Sequence, residues 1–422
     1  MDAITRREYG LLALLACAAA GLALVRPDKA IDFRVYWENA RHYFAGAPPW
    51  PTMYGPASGT GWAGGVYRYP PIFLDLFRPL ALLPLRWGAA LWAAAKMASV
   101  GWLAIALRRR WCLPSALAFW PAILLLAPYV IQDLRYGNAQ LFIVVLACAA
   151  FAQGPVIGGA GLGWAAALKV WPLFFYPFLA VQRRWRMLAA ACGVGVAATL
   201  LPALWRGWSS QMRLLGAWLA QERTIAATSS KLGELWYPGQ SLHDVLARYL
   251  TRMDFARLAD ARYPQIAWLQ LSPATLNAVW WSLALALAAG LAFLLWRAHA
   301  TAALGPAPSN DAQTALLFCA VVVLEPHVHR LILDTLLWPA LYLAGELWRR
   351  RLAGWQLGLF WIAIAASALE PLVPGSARQR ALQAYGTDFW LVVLPLTLAA
   401  ISLQRVHHPQ PGKAGKIAVG AP

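Results

Sequence analysis

Two side chains stand out as chemical groups in poor places: Asp32, in Ile31-Asp32-Phe33-Arg34-Val35-Tyr36-Trp37, and Lys169, in Ala167-Leu168-Lys169-Val170-Trp171-Pro172. Each sits beside a long apolar run. An unpaired ammonium at membrane depth costs about 3 kcal/mol on insertion scales, so Lys169 needs a counter-ion, and a bound phosphate would serve. Snorkelling to the near interface is the alternative. Asp32 is either an interfacial carboxylate that caps the following helix or a general base at the mouth of a lipid-facing cavity.

Other polar residues fall into short clusters with the same ambiguity. Arg68, flanked by Tyr67 and Tyr69 and followed by Pro70-Pro71, has the guanidinium geometry that clamps a phosphate; an aromatic belt with a snorkelling arginine also fits. Asn138 and Gln140, in Gly137-Asn138-Ala139-Gln140, either cap helix ends or hydrogen-bond sugar hydroxyls. Glu325-Pro326-His327-Val328-His329-Arg330 holds a His-x-His pair with no third metal ligand at a suitable spacing. His327 and His329 donating to a phosphate or hydroxyl, with Arg330 adding charge, fit better. In Gly239-Gln240-Ser241-Leu242, Ser241 reads as a helix N-cap, and Gln240 is free to point into a cavity.

These residues must be positioned by a membrane-embedded scaffold. Of 422 residues, 60% are hydrophobic and only 13% charged, the mean hydropathy is +0.51, and there are 24 tryptophans. Such a chain is an all-α polytopic membrane protein. The net charge of +18 would suggest nucleic acid in a soluble protein. Here the basic residues cluster between apolar runs, which is how membrane topology is encoded, so nucleic acid is excluded. Five cysteines without paired spacing argue against a disulfide framework. No P-loop, GxGxxG, repeat or soluble domain is present.

Apolar runs predict spans at 9–25, 86–107, 113–131, 139–151, 187–205, 275–296, 314–324, 331–348, 353–369 and 389–403. The residues after Val25 lack a small-residue cleavage site, so the first run reads as a span. Arg108-Arg109-Arg110, Arg183-Arg184-Trp185-Arg186 and Arg349-Arg350-Arg351 should face the cytoplasm. The segment between Gln153 and Arg183 then crosses an even number of times, which two half-crossings meeting near Lys169 provide. The expected total is about twelve crossings in a single domain, with both ends cytoplasmic. Long extracytoplasmic loops are expected at 27–85 and 206–273, short turns at 132–140, 325–330 and 370–388, and a flexible cytoplasmic tail at 406–422. That topology, drawn without the polar residues, puts Asp32, Arg68, Asn138, Gln140, Lys169, Gln240, His327 and His329 on one membrane face. One carboxylate among cations and amides suits transfer to a hydroxyl from a phosphate leaving group.

At these residues the sequence resembles glycosyltransferase family 87, polyprenol-phosphate-sugar-dependent membrane enzymes of GT-C architecture that include mannosyl- and arabinofuranosyltransferases. The resemblance lies in Asp32-Phe33-Arg34-Val35-Tyr36, Tyr69-Pro70-Pro71, Gly137-Asn138-Ala139-Gln140, the small-residue run from Gly161 to Lys169, Gly239-Gln240-Ser241-Leu242 and the His327 region, in family order. It implies a GT-C-type bundle in the inner (plasma) membrane and an inverting transferase that needs no metal or cofactor. Such an enzyme would move one sugar, mannose or another hexose or pentose, from a polyprenyl phosphate to an extracytoplasmic lipid- or glycan-linked acceptor of the cell envelope. Asp32 matches the family's catalytic base, while Lys169 and His327, or equally His329, match positions near the donor phosphate, with Arg68 and Arg330 as further cations. Tyr36, Asn138, Gln140 and Gln240 are the candidates for sugar or acceptor contacts. The rival expectation is a transporter that uses the same basic cavity to flip an anionic lipid or glycolipid without chemistry.

Overall fold

The structure is a computed structural model that describes residues 3–44, 67–229, 239–252, 263–301, 310–326 and 328–404. Every regular element among them is helical. The chain opens with α1 (Ala3–Val25), α2 (Ile31–Phe44), α3 (Pro71–Ala81), α4 (Leu85–Arg110), α5 (Trp120–Tyr136) and α6 (Gln140–Ala152). It continues through α7 (Pro155–Leu168), α8 (Phe175–Val181), α9 (Trp185–Leu200), α10 (Ala203–Arg206), α11 (Trp208–Ser229) and α12 (Leu242–Leu250). It closes with α13 (Pro273–Thr301), α14 (Asn310–Leu324), α15 (Leu337–Trp348), α16 (Gly354–Leu369), α17 (Ser376–Ala384) and α18 (Leu394–Ser402).

A core that is apolar on all sides forms where α5, α6, α14, α15 and α18 meet. Leu125, Val144, Phe318, Trp338 and Leu396 are almost wholly enclosed there. Outer helices are apolar in the opposite direction. On α13, Trp281, Leu285, Phe293 and Trp296 are exposed, and on α1 so are Leu14 and Leu22. Apolar side chains turned outward on a long helix make sense when the surrounding solvent is lipid.

Among the described residues, seven helical segments are long and apolar enough to span a membrane, or eight when α17 and the segment Phe389–Ser402, bent by 60°, count as one. The twelve expected crossings are therefore not all matched by span-length helices. At 1.5 Å per residue the 13 residues of α6 reach only about 20 Å, and α7, α14 and Trp171–Val181 are similarly short. Two of the expected turns are also helical. The apolar run stops at Ile131 on sequence, yet α5 continues through Gln132, Asp133 and Arg135 to Tyr136, because Asp133 is neutralised inside the fold by Lys96. The expected turn at 370–388 contains α17. The break expected at Lys169 is present: that residue leaves the helix with extended angles, φ −154° and ψ 138°, between α7 and Trp171–Val181.

Packing of α7 against α9 explains the run of small residues before Lys169. A β-carbon on Gly163 would lie 2.5 Å from the Ala191 carbonyl oxygen and 2.8 Å from the Gly195 nitrogen, and one on Gly159 would lie 2.7 Å from the Ala190 Cβ. Only glycine lets the two backbones come this close. That contact fixes the end of α7, and with it the origin of the Lys169 side chain.

Candidate active site

The turn between α5 and α6 is written by its own four residues. Gly137 ends α5 in the left-handed region, φ 69°, which disfavours any residue with a β-carbon by about 1 kcal/mol or more. The N–H groups of Gly137 and Asn138 return to the Asp133 carbonyl at 2.8 and 3.2 Å. A β-carbon on Gly137 would also fall 2.6 Å from the Phe33 Cβ, so the glycine lets α2 approach. Asn138 Oδ1 then accepts the Gln140 backbone N–H at 2.8 Å and opens α6. This orients the amide, with its oxygen toward α6 and its nitrogen toward α2.

Asp32 receives that nitrogen. It lies in the first turn of α2, where a carboxylate suits the helix dipole, and its Oδ2 accepts from Asn138 Nδ2 at 2.7 Å. Its Oδ1 makes no hydrogen bond with the described residues. Burial lifts the Asp32 carboxyl above the ordinary range; the Asn138 bond and the charges of Lys169 and Lys96 pull the other way without cancelling it. A carboxylate so placed is a stronger proton acceptor than one in water.

Aromatic packing closes the back of the site. Tyr36, Tyr69, Phe73 and Phe77 stack edge to face at 5.0 to 5.7 Å around α2 and α3. The Tyr36 hydroxyl donates to Tyr69 Oη at 3.2 Å, and Tyr69 donates to Asn138 Oδ1 at 3.2 Å. Burial raises both phenols above their ordinary pKa, so they remain donors. Lys169 lies 5.5 Å from the Tyr69 ring centre and donates to Gln140 Oε1 at 2.7 Å. Gln140 Nε2 in turn donates to Thr335 Oγ1 at 3.1 Å. Among the described residues, one hydrogen bond leaves two of the three Lys169 N–H directions unused.

Behind the turn stands a group absent from the sequence-based candidates. Lys96, at the middle of α4 and wholly buried, donates to Asp133 Oδ1 at 2.5 Å, to the Asp133 carbonyl at 3.1 Å and to the Asn138 carbonyl at 2.9 Å. All three ammonium hydrogens are thereby used. Trp92, one turn earlier, donates to the Gly137 carbonyl at 2.9 Å. Thus α4 grips the backbone that presents Asn138 to Asp32. Asp334, also wholly buried, lies within electrostatic reach of Asp133, Lys96 and Lys169. The signal for Lys96 was an ionisable residue inside an apolar span. Tyr69 belonged to the Tyr69-Pro70-Pro71 motif but was not read as a site residue, and Asp133, Thr335 and Asp334 carried no local signal beyond their polarity.

The structure therefore gathers Asp32, Tyr36, Asn138, Gln140 and Lys169, and it places other candidates elsewhere. Both guanidinium arms of Arg68 bind Glu222, at 2.8 and 3.2 Å. Arg330 is held by Glu370 at 2.5 Å and Asp388 at 2.8 Å. Gln240 donates from its backbone to the Val328 carbonyl at 2.6 Å and from Nε2 to the Gln383 carbonyl at 3.0 Å. His329 immediately precedes the turn Arg330–Leu336, its carbonyl accepting the Ile332 N–H. His327 and the tail 406–422 lie outside the described residues.

An apolar cavity of about 440 Å³ adjoins the polar group. Ala139 and Leu168, next in sequence to Asn138 and Lys169, line it together with Phe73, Trp92 and Phe142. It follows α6 as far as Ala149, a run of about 15 Å at the helical rise.

With that geometry in place, comparison with known families is decisive: the model described as Glycosyltransferase family 87 matches residues 67–307, more than half of the chain. The chain belongs to glycosyltransferase family 87. This family 87 protein is accordingly a glycosyltransferase with multiple transmembrane helices. No curated protein and no solved structure matched it. The matched segment contains Asn138, Gln140 and Lys169 but stops short of Asp32, which joins them through the Asn138 bond.

Proposed function

We propose that this family 87 enzyme transfers one sugar, mannose or another hexose or pentose, from a polyprenyl phosphate to a lipid- or glycan-linked acceptor on the extracytoplasmic face of the inner (plasma) membrane. The observation that carries this reading is the joining of Asp32 to Lys169 through Asn138 and Gln140, beside an apolar cavity. A donor that combines a phosphate with a long apolar chain has both features to meet: an ammonium with two unused N–H groups and a hydrophobic slot starting next to it.

In the proposed reaction, Asp32 Oδ1 takes the proton of the acceptor hydroxyl as its oxygen attacks the anomeric carbon. The bond from that carbon to the phosphate oxygen breaks, the electron pair leaves with polyprenyl phosphate, and the anomeric configuration inverts. Lys169 stabilises the charge growing on the phosphate. Tyr36, through Tyr69, keeps Asn138 oriented. Arg68 and Arg330 already hold carboxylates, so the proposed donor site rests on Lys169.

The run of the helices supports this sidedness. From Lys169, α7 leads back about 21 Å to Pro155, which borders Arg183, Arg184 and Arg186. From Gln140, α6 leads to Ala152, whose carbonyl accepts from Arg110 at 3.0 Å. The arginine-rich end favours the cytoplasm, which turns the site outward. The test is to incubate the purified protein in nanodiscs with radiolabelled polyprenyl-phosphate sugars and host lipid extract. A labelled acceptor is expected with one of these donors; labelling from nucleotide sugars alone would reject the donor class.

A further inference from the structure

At the arginine-rich end of α7 the fold contains a second cavity, of about 510 Å³, lined by Pro155, Arg183, Arg184, Trp185, Arg186 and Met187. A tight turn shapes it. After α8, the Gln182 N–H bonds to the Phe178 carbonyl, Arg183 to Ala180 and Arg184 to Leu179, each at 2.9 Å. Arg183 stands where such a turn ordinarily takes glycine, with φ +54°. A side chain there is strained, so the turn keeps a charge at the expense of backbone ease.

This corner differs from the other two basic runs, each of which holds at least one carboxylate partner. In the basic run that ends α4, Arg108 pairs with Glu8 at 3.3 Å and Arg110 with Asp311 at 3.0 Å. In the run after α15, Arg349 pairs with Glu346 at 2.5 Å. Among the described residues, the side chains of Arg183, Arg184 and Arg186 make no hydrogen bond or ion pair. Arg184 is half-buried, lies 5.7 Å from the Phe151 ring centre, and feels Arg110 as a like charge and Asp311 as an opposing one.

Three guanidinium groups around a concavity, without a carboxylate of their own, match a phosphate in charge and in planar donor geometry. The surroundings select among phosphates. Val156, Ile157 and Trp185 are largely exposed at or next to the lining, an apolar flank that a free phosphate cannot use and an acyl chain can. Basic pockets at the cytoplasmic ends of membrane helices suit anionic headgroups. We propose that this cavity binds the phosphate of an anionic phospholipid, with its acyl chains against Val156, Ile157 and Trp185. The site stands apart from the sugar-transfer centre, with α7 between them.

The full-length protein in neutral detergent tests this by its unfolding midpoint with added phosphatidylglycerol, phosphatidylcholine or inorganic phosphate. Phosphatidylglycerol should raise the midpoint by about 3 °C or more, and the other two should not. In the double variant Arg183→Gly, Arg186→Gln the turn gains its preferred residue, so the midpoint without lipid should hold or rise while the response to phosphatidylglycerol disappears. The control Arg350→Gln, Arg351→Gln, in a turn of the same kind, should respond like wild type. A full response in the first variant, an equal loss in the control, or an equal shift from inorganic phosphate or phosphatidylcholine would each overturn the assignment.

Discussion

Arg248 and Asp32 are both charged side chains drawn out of water, yet they are held by different kinds of partner. Arg248 on α12 is answered by main chain: Nε donates to the Ala384 carbonyl and Nη1 to the Gly239 carbonyl, each at 2.7 Å. Around it, Gln240 bonds to Val328 and Gln383, and Ser241 Oγ donates to the Pro326 carbonyl at 2.7 Å. Three distant stretches of chain are stapled together. Asp32 is answered by a side chain, Asn138, and keeps an oxygen uncommitted. The first arrangement resists change and the second can respond to a new hydrogen-bonding group. That is the physical difference between a polar group that holds a fold and one that could serve the proposed reaction.

The sharpest way to break this comparison is to neutralise both centres separately. Asp32→Asn should lower the transfer rate by about 10²- to 10⁴-fold, the usual worth of a general base, with little change in the unfolding midpoint. Arg248→Met should do the reverse, destabilising by about 3 kcal/mol or more by stranding buried carbonyls, while the fraction that stays folded turns over normally. Rate assays alongside thermal unfolding in detergent would decide. If Asp32→Asn keeps full activity, the base is elsewhere.

Lys96 lies between the two cases, since it is fully paired like Arg248 but sits against the reactive group. Lys96→Met leaves Asp133 charged and buried, and should destabilise by about 3 kcal/mol or more. Lys96→Met combined with Asp133→Leu should recover much of that stability, because neither charge is then stranded. Activity should recover less, since the Asn138 carbonyl still lacks its clamp. Equal recovery of stability and activity in the double variant would reduce Lys96 to a purely structural role.

The smallest effect sharpens the role of Asn138. Its bond favours the ionised form of Asp32, whose pKa burial has already raised. Removing the bond with Asn138→Ala raises that pKa further. Because the proposed reaction needs ionised Asp32, activity should be lost as pH falls through it. The acid limb of kcat/KM should therefore move up, by about one pH unit for a hydrogen bond to a charged group. An unmoved acid limb would detach Asn138 from the titrating group.

Local sequence carried the turn at Gly137-Asn138-Ala139-Gln140 and the break at Lys169, because each is fixed by residues within a few positions: a left-handed glycine, an asparagine cap, a proline soon after the lysine. It did not carry the fate of Arg68 or Arg330. Their carboxylates lie 154 positions away at Glu222, and 40 and 58 positions away at Glu370 and Asp388, and no short pattern links them. Gln240 misled for the same reason, since its acceptors belong to Val328 and Gln383. Lys96 was readable in principle. A lone ammonium in a span predicts a buried partner, but only the fold reveals that the partner is the end of α5.

Thirteen residues suffice for α6 to run from Gln140 in the polar chamber to Ala152 at the arginine rim. Those two levels are about 20 Å apart, whereas an ordinary hydrocarbon layer is about 30 Å thick. Either the bilayer is pinched where it meets this flank or the chamber lies sunken beneath the headgroups. In both situations the length of the host acyl chains becomes a variable of the proposed transfer, one that would set how far an acceptor hydroxyl must descend to reach Asp32.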